Sequence, residues 1–301
     1  MTASSMLETR LAGTQIHGVA IPMFRTDLLA GQRILITGGG TGLGRSMGHR
    51  FLELGARLVI CGRREAVLAA TAAEFDRAFP GRTSFHVCDI RDAAAVETMV
   101  ESAWRDGPLD ALVNNAAGNF IARSETLSPR AVDAVLGIVL HGAAYATLAC
   151  GKRWIATERP GNVLSIVTTY AWTGSGYVLP SAMAKAGVLS MTRSLAVEWG
   201  PKRIRLNAIA PGAFPTPGAW ERLVPKPELA QVFETRNVLG RVGNHLELAN
   251  LAAFLLAVES GYITGDCVTI DGGEWLKGAG QFSWLDRLTD AQWDELRPRK
   301  S

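Results

Sequence analysis

The chain predicts a doubly wound α/β domain, one parallel sheet of about seven strands with helices on both faces. Three observations carry this. Short β-branched and apolar runs alternate with longer helical patterns, the signature of βαβ units. No linker, repeat or low-complexity stretch divides the 301 residues, and 48% hydrophobic content suffices for one large core. A glycine cluster directly follows the first apolar run, where such sheets bind nucleotides.

Each element follows from local signals. Residues 1–26 read as a mobile lead-in; they lack the basic start and apolar block of a signal peptide. Arg33–Thr37 is a first buried strand, and a helix pattern runs from the glycines to Leu54, where Gly55 ends it. Residues 58–61 form a second strand. The helix at 65–79 stops at Pro80 and Gly81. Residues 83–88 are a third strand leading into Asp89. A helix at 93–104 precedes a fourth strand at 110–113. A long helix covers 130–156, and a fifth strand covers 162–167. Pro180 suits the first turn of a helix running to Trp199. A strand at 204–209, a helix at 246–258 and a last strand at Cys267–Ile270 complete the pattern. Thr289 and Gln292 have capping-box spacing and open a short tail helix with Trp293 and Leu296. The domain is read as 27–301, with a proline-rich, irregular substrate lid at about 213–240 and a tail at about 275–301.

Composition narrows the function classes. A net charge of +3 leaves no nucleic-acid footprint. The cysteines at 61, 88, 150 and 267 lack metal-ligand spacing, so no metal is expected, and they suit reduced thiols of a cytoplasmic protein. No apolar run is read as long enough to span a membrane. The end, Pro298 to Ser301, is not a peroxisomal address.

The glycine cluster reads Thr37-Gly38-Gly39-Gly40-Thr41-Gly42-Leu43-Gly44. Glycines at 38, 42 and 44 allow a tight turn and close backbone approach to a pyrophosphate on the following helix N-terminus. The second strand ends in Cys61-Gly62-Arg63-Arg64. A carboxylate there would suit the ribose hydroxyls of NAD. Arg63 instead suits a 2′-phosphate through charge-assisted bonds, which points to NADP(H). Arg64 reads as a solvated helix-start charge. Asp89 is placed for the adenine edge, and the run Asn114-Asn115-Ala116-Ala117-Gly118 for packing against the cofactor.

Residues 164–185 hold the chemistry. A buried strand opens into a loop with Tyr170, Gly174, Ser175, Gly176 and Tyr177, then a helix with Ser181 and Lys185 one turn apart on one face. Two phenols, a hydroxyl and an amine converge at a strand's carboxyl end, downstream of a nucleotide turn.

Together, the glycine turn, the Asn-Asn-Ala-Ala-Gly run, the Ser/Lys helix and Pro211-Gly212 resemble the short-chain dehydrogenases/reductases over about residues 30–275, which implies a Rossmann-like fold. The signature Tyr-x-x-x-Lys of that family would need Tyr at Ser181, and Val139 stands about where its usual catalytic Asn would lie. The 2,4-dienoyl-CoA reductases lack this conflict. Asn114 to Ile121, Thr168-Thr169-Tyr170, Thr173 to Gly176, Pro180-Ser181-Ala182 and Thr289 to Trp293 resemble them from about residue 27 onward. This resemblance implies Tyr170, Asn119, Ser181 and Lys185 as the catalytic set. It implies coenzyme A contacts at Arg63, Arg91, Phe120, Ser128 and Arg222. It implies NADP(H) held by Gly38, Gly39, Gly40, Thr41, Gly42, Leu43, Arg63, Asp89, Asn115, Lys185, Pro211, Gly212 and Phe214. It also implies an acyl-CoA substrate, a place in fatty acid β-oxidation, and homotetramers paired through the helices at 130–156 and 180–200. His141 departs from the resemblance, which carries Asn there, and reads as a helix residue near an oligomer interface. Two alternatives stand beside this reading: a carbonyl reductase or alcohol dehydrogenase using Tyr170 or Tyr177, and a catalytically inactive nucleotide-binding protein.

Overall fold

In the computed structural model, residues 15–16, 19–20, 24–216 and 230–296 are described. Seven strands form one parallel sheet: β1 (Arg33–Thr37), β2 (Arg57–Gly62), β3 (Thr83–Val87), β4 (Ala111–Asn114), β5 (Gly161–Ile166), β6 (Ile204–Pro211) and β7 (Cys267–Ile270). Their spatial order is β3-β2-β1-β4-β5-β6-β7. The order reverses between β1 and β4, which is where open α/β sheets place their ligand crevice. Within the lead-in, Gln15–Ile16 pairs antiparallel with Val19–Ala20.

Strand alternation decides which helix covers which face. Ile34 and Ile36 of β1 point to one side, in a row that pairs Ile36 with Ile60 and Val113. That side packs on α1 (Gly42–Glu53) and α2 (Glu65–Ala78), through Met47, Phe51, Leu68 and Phe75. Leu35, Val59, Leu112 and Val163 point to the other side. There they meet α3 (Ala93–Arg105) through Val96 and Val100. The long helix lies on the same side in two parts, α4 (Pro129–Leu136) and α5 (Gly142–Ala156), joined by a π-turn at Gly137–His141. After β5 come α6 (Tyr170–Thr173) and α7 (Leu179–Trp199), and Trp199 packs against the same core as Trp154. Next are α8 (Ala230–Arg236) and α9 (His245–Leu256), the latter returning to the first face through Leu248 and Leu255. Finally α10 (Glu274–Ala279) and α11 (Asp290–Glu295) follow the last strand. The expected Thr289/Gln292 capping box opens α11.

Two expectations need correction. The helix predicted as continuous at 130–156 contains the π-turn, an i→i+5 widening that strand-and-helix periodicity does not reveal. The stretch Pro129–Ala156 is also long and apolar enough, by length and composition alone, to cross a bilayer. Here it forms a layer of the fold. Ala146, Cys150 and Trp154 sit in the core, and a Cβ on Gly142 would meet Ile90 at 2.6 Å.

Because all seven strands run parallel, the loops after Thr37, Gly62, Val87, Asn114, Ile166 and Pro211 gather along one edge. Every residue singled out from the sequence for chemistry lies on or beside those loops, apart from Arg222, whose position falls outside the described residues.

Candidate active site

The turn after β1 is shaped by sterics. Gly38 and Gly42 have φ of +66° and +53°, in the left-handed region that disfavours a Cβ. A Cβ on Gly44 would stand 2.5 Å from Gly38 O, so the α1 backbone lies directly on the turn. Gly39 faces Ile60, and Gly40 faces Leu68 and Val67. Thr41 is the helix cap, extended and without a side-chain capping bond, and the first turn of α1 holds no acidic residue. Among the described residues, the leading amides of α1, from Gly42 and Leu43 on, therefore have no side-chain acceptor and suit an anion at the positive end of the helix. This glycine cradle and open helix end fit a dinucleotide pyrophosphate.

Three side chains hold this turn: Asn115, expected at the cofactor, and Thr37 and Thr71, which the sequence reading did not assign to the site. Thr37 Oγ1 accepts from the Asn115 and Ala116 amides at 3.1 Å each. Asn115 Nδ2 donates to Thr37 O at 3.0 Å and to Gly38 O at 3.2 Å. Thr71 Oγ1 donates to Gly40 O at 2.8 Å. Asn115 thus joins the β1 and β4 loops by its own side chain. A hydroxyl ending an apolar strand next to glycine was the available signal for Thr37.

Arg63 is exposed just past β2, and its guanidinium makes no hydrogen bond or ion pair among the described residues. Its charge acts on Asp89. Arg64 is the exposed N-cap position of α2. Asp89 is held by Arg91, whose Nε donates to both carboxylate oxygens at 2.9 and 3.0 Å, and its carboxyl lies below the usual range because of that bond. Arg91, assigned by resemblance to coenzyme A, is therefore engaged with the residue assigned to adenine.

The residues expected to be catalytic converge. Tyr170 begins α6 just past β5, and its Oη lies 3.0 Å from Ser181 Oγ in the first turns of α7. Asn119 Oδ1 accepts from the Phe120 amide at 2.9 Å, which turns Nδ2 toward Tyr170 Oη, 3.5 Å away. Lys185, one turn beyond Ser181, is buried and its Nζ donates to Ile166 O at the end of β5. Burial pushes its ammonium down to about 8. Tyr177 differs on every count. It is 64% exposed, has φ of +68°, and its hydroxyl makes no hydrogen bond among the described residues.

The remaining positions divide. Phe120 packs against Val135, Val139 and Ala184, so the position of the usual Asn is filled by apolar contact. Ser128 Oγ accepts from the Ala131 amide at 3.2 Å and caps α4, ahead of a proline in the first turn. Serine before proline is a cap signal that the sequence reading, which gave Ser128 only as a coenzyme A contact, did not use. The Gly212 amide donates to Ile270 O at 3.0 Å, while Pro211 ends β6 beside Ile270. Phe214 lies over Gly243. Of the expected lid, residues 217–229, including Trp220 and Arg222, lie outside the described residues. Beyond them, Arg236 Nε meets Glu274 Oε1 at 3.2 Å and ties α8 to α10.

Comparisons agree with this architecture. A family model described as enoyl-(acyl carrier protein) reductase matches residues 38–274. The chain is 45% identical over 246 residues to a "Probable 2,4-dienoyl-CoA reductase [(2E)-enoyl-CoA-producing]" of Bacillus subtilis, covering 81% of this chain and 96% of that one. It is 39% identical to "Probable 2,4-dienoyl-CoA reductase 3 [(3E)-enoyl-CoA-producing]" of Caenorhabditis elegans, covering 84% and 83%. Among solved structures, a short chain dehydrogenase from Bacillus anthracis superposes with a TM-score of 0.74 at 41% identity, covering 81% and 96%. A gluconate 5-dehydrogenase from Burkholderia cenocepacia in complex with NADP and tartrate superposes with a TM-score of 0.78 at 29% identity, covering 83% and 98%. With its sheet order, glycine turn and these matches, the chain belongs to the short-chain dehydrogenase/reductase family of oxidoreductases.

Proposed function

We propose that this chain is an NADPH-dependent reductase of 2,4-dienoyl-CoA thioesters. One observation carries the reading: Tyr170 Oη stands between Ser181 Oγ and the Asn119 amide, with Lys185 one turn along α7. Relatives named as 2,4-dienoyl-CoA reductases support it. Arg63, exposed past β2 and without a hydrogen bond or ion pair among the described residues, supports the choice of NADPH.

The reduced nicotinamide supplies the hydride. As the conjugated thioester accepts it, negative charge gathers on the thioester oxygen, and donors already aimed there contribute most. Tyr170 and Asn119 are those donors. Ser181 completes the hydrogen count. Once Tyr170 gives its hydrogen to the substrate, Tyr170 Oη can accept from the Ser181 hydroxyl. Lys185 spends one of three hydrogens on Ile166 O, which leaves two for the nicotinamide ribose. Its positive charge also favours the developing charge near Tyr170.

The proposal includes pairing of copies into a tetramer through α4–α5 and α7; α5 exposes Leu148, and α7 exposes Met183 and Val197. Light scattering on the purified chain tests that assembly.

The decisive assay compares turnover of 2,4-dienoyl-CoA with that of simple ketones, under NADPH and then NADH. The proposal expects reduction of the dienoyl thioester with NADPH. Ketone turnover without thioester reduction would replace it with a carbonyl reductase. NADPH binding without any hydride transfer would replace it with an inactive binding protein.

A further inference from the structure

Among the described residues, the turn that opens α1 and the loop that follows β6 are joined by hydrogen bonds through the side chain of His245. This residue is the first of α9, directly after the cap Asn244. Its Nε2 lies 2.7 Å from Pro215 O, and its Nδ1 lies 2.8 Å from Ser46 Oγ. Ser46 Oγ is also 3.1 Å from Gly42 O. Beside Pro215, the Thr216 side chain rests on Gly42, whose Cβ would meet Thr216 Cγ2 at 3.3 Å. A chain of bonds thus runs from Gly42 O through Ser46 and His245 to Pro215 O.

Hydrogen positions follow from what each atom can do. Pro215 O can only accept, so Nε2 carries the ring hydrogen. In the neutral ring Nδ1 is then an acceptor, and the single Ser46 hydrogen is divided between Nδ1 and Gly42 O. The near side of the loop is fixed separately. The Gly243 amide donates to Ala213 O at 2.9 Å, and Phe214 covers Gly243. Those contacts tie the loop to the segment just before α9. His245 and Ser46 extend the tie to α1.

We propose that His245 is a positioning residue that couples the dinucleotide turn to the 213–216 loop, so that seating the cofactor and setting that loop are one event. The proposal rests on reading residues 38–44 as the cofactor turn. Neither His245 nor Ser46 touches the reacting atoms, so the coupling acts on affinity ahead of rate.

The test is NADPH titration of the full-length chain, followed by fluorescence, with steady-state kinetics alongside. His245→Ala removes two hydrogen bonds and is expected to raise the NADPH dissociation constant about ten- to thirtyfold. Ser46→Ala is expected to raise it about fivefold. Because both act through one chain, the double variant is expected to match His245→Ala and not the product of the two losses. His245→Gln keeps an N–H donor toward Pro215 O and is expected to recover most of the affinity. At saturating substrates kcat stays near wild type, while KM for NADPH follows the dissociation constant. Unchanged affinity in His245→Ala, or losses that multiply in the double variant, overturns the coupling. So does a lower melting temperature with unaltered affinity. If His245→Ala does not fold, Ser46→Ala and His245→Gln decide by the same two readouts: wild-type affinity in Ser46→Ala overturns the coupling. A wild type that binds no dinucleotide sinks the cofactor reading itself, and the coupling with it.

Discussion

Two corners of the same sheet edge are built on opposite principles. In the glycine turn, the main chain makes the geometry, and the side chains of Thr37, Thr71 and Asn115 hold that main chain in place. In the Tyr170 corner, the tips of side chains make the geometry, and Tyr170, Ser181 and Asn119 meet at a single oxygen. The first corner is defined by where no Cβ can stand. The second is defined by which hydrogens are on offer. A steric lesion should therefore damage binding and folding together at the turn, whereas a volume-conserving change at Tyr170 should remove rate and leave the fold.

The sharpest break of that contrast is Tyr170→Phe. Loss of one preorganised donor is expected to lower kcat by on the order of a hundred- to a thousandfold. NADPH affinity and melting temperature should hold. Tyr177→Phe, at an exposed ring, should leave turnover near wild type. A dead Tyr177→Phe beside a healthy Tyr170→Phe would reverse the assignment. At the turn, Gly44→Ala sets a Cβ 2.5 Å from Gly38 O, a backbone atom that cannot swing aside. Strain of this kind costs about 1–3 kcal/mol, so both the melting temperature and NADPH affinity should fall. Retained affinity in a destabilised variant would separate the turn from the cofactor. Arg63→Ala is expected to weaken NADPH about ten- to a hundredfold through one lost charge-assisted bond. NADH should be spared, and equal losses for both would remove Arg63 from the 2′-phosphate.

A further test lies in pH. Burial lowers the Lys185 pKa from 10.5 to about 8. Below pH 8 both folded and unfolded chains hold the proton, and the buried charge lowers stability in full. Between about 8 and 10.5 the unfolded chain binds more protons, so stability rises with pH across that window. Urea unfolding of the cofactor-free protein should show this rise relative to Lys185→Met. A pH-independent difference between the two proteins would mean that Lys185 is not buried as a charge.

How much of this was legible in the sequence depended on whether a signal was local. The strands were legible because a parallel sheet buried on both faces demands continuous β-branched and apolar runs, as at Arg33–Thr37 and Gly161–Ile166. The Ser181/Lys185 pair was legible because helical spacing alone places it. The π-turn at Gly137–His141 was not, since Val139 keeps the apolar pattern through the widened turn. The engagement of Arg91 with Asp89 was hidden because residues two apart in a loop carry no fixed geometry. His245 was hidden more deeply. Residues 46, 215 and 245 have no relation until the fold brings the β6 loop, α1 and α9 together.

The strand order has a consequence for how the chain is made. Both neighbours of β1, namely β2 and β4, lie within the first 114 residues. As a nascent chain leaves the ribosome from its N-terminal end, those four strands and three helices can assemble while later segments are still being added. The growing edge is then β4, an open parallel ladder that waits for β5. Once Asn115 and Ala116 have followed β4, the glycine turn lacks only the contacts given by Thr216 and His245. The nucleotide half of the protein can therefore exist before Tyr170 has been joined to the chain.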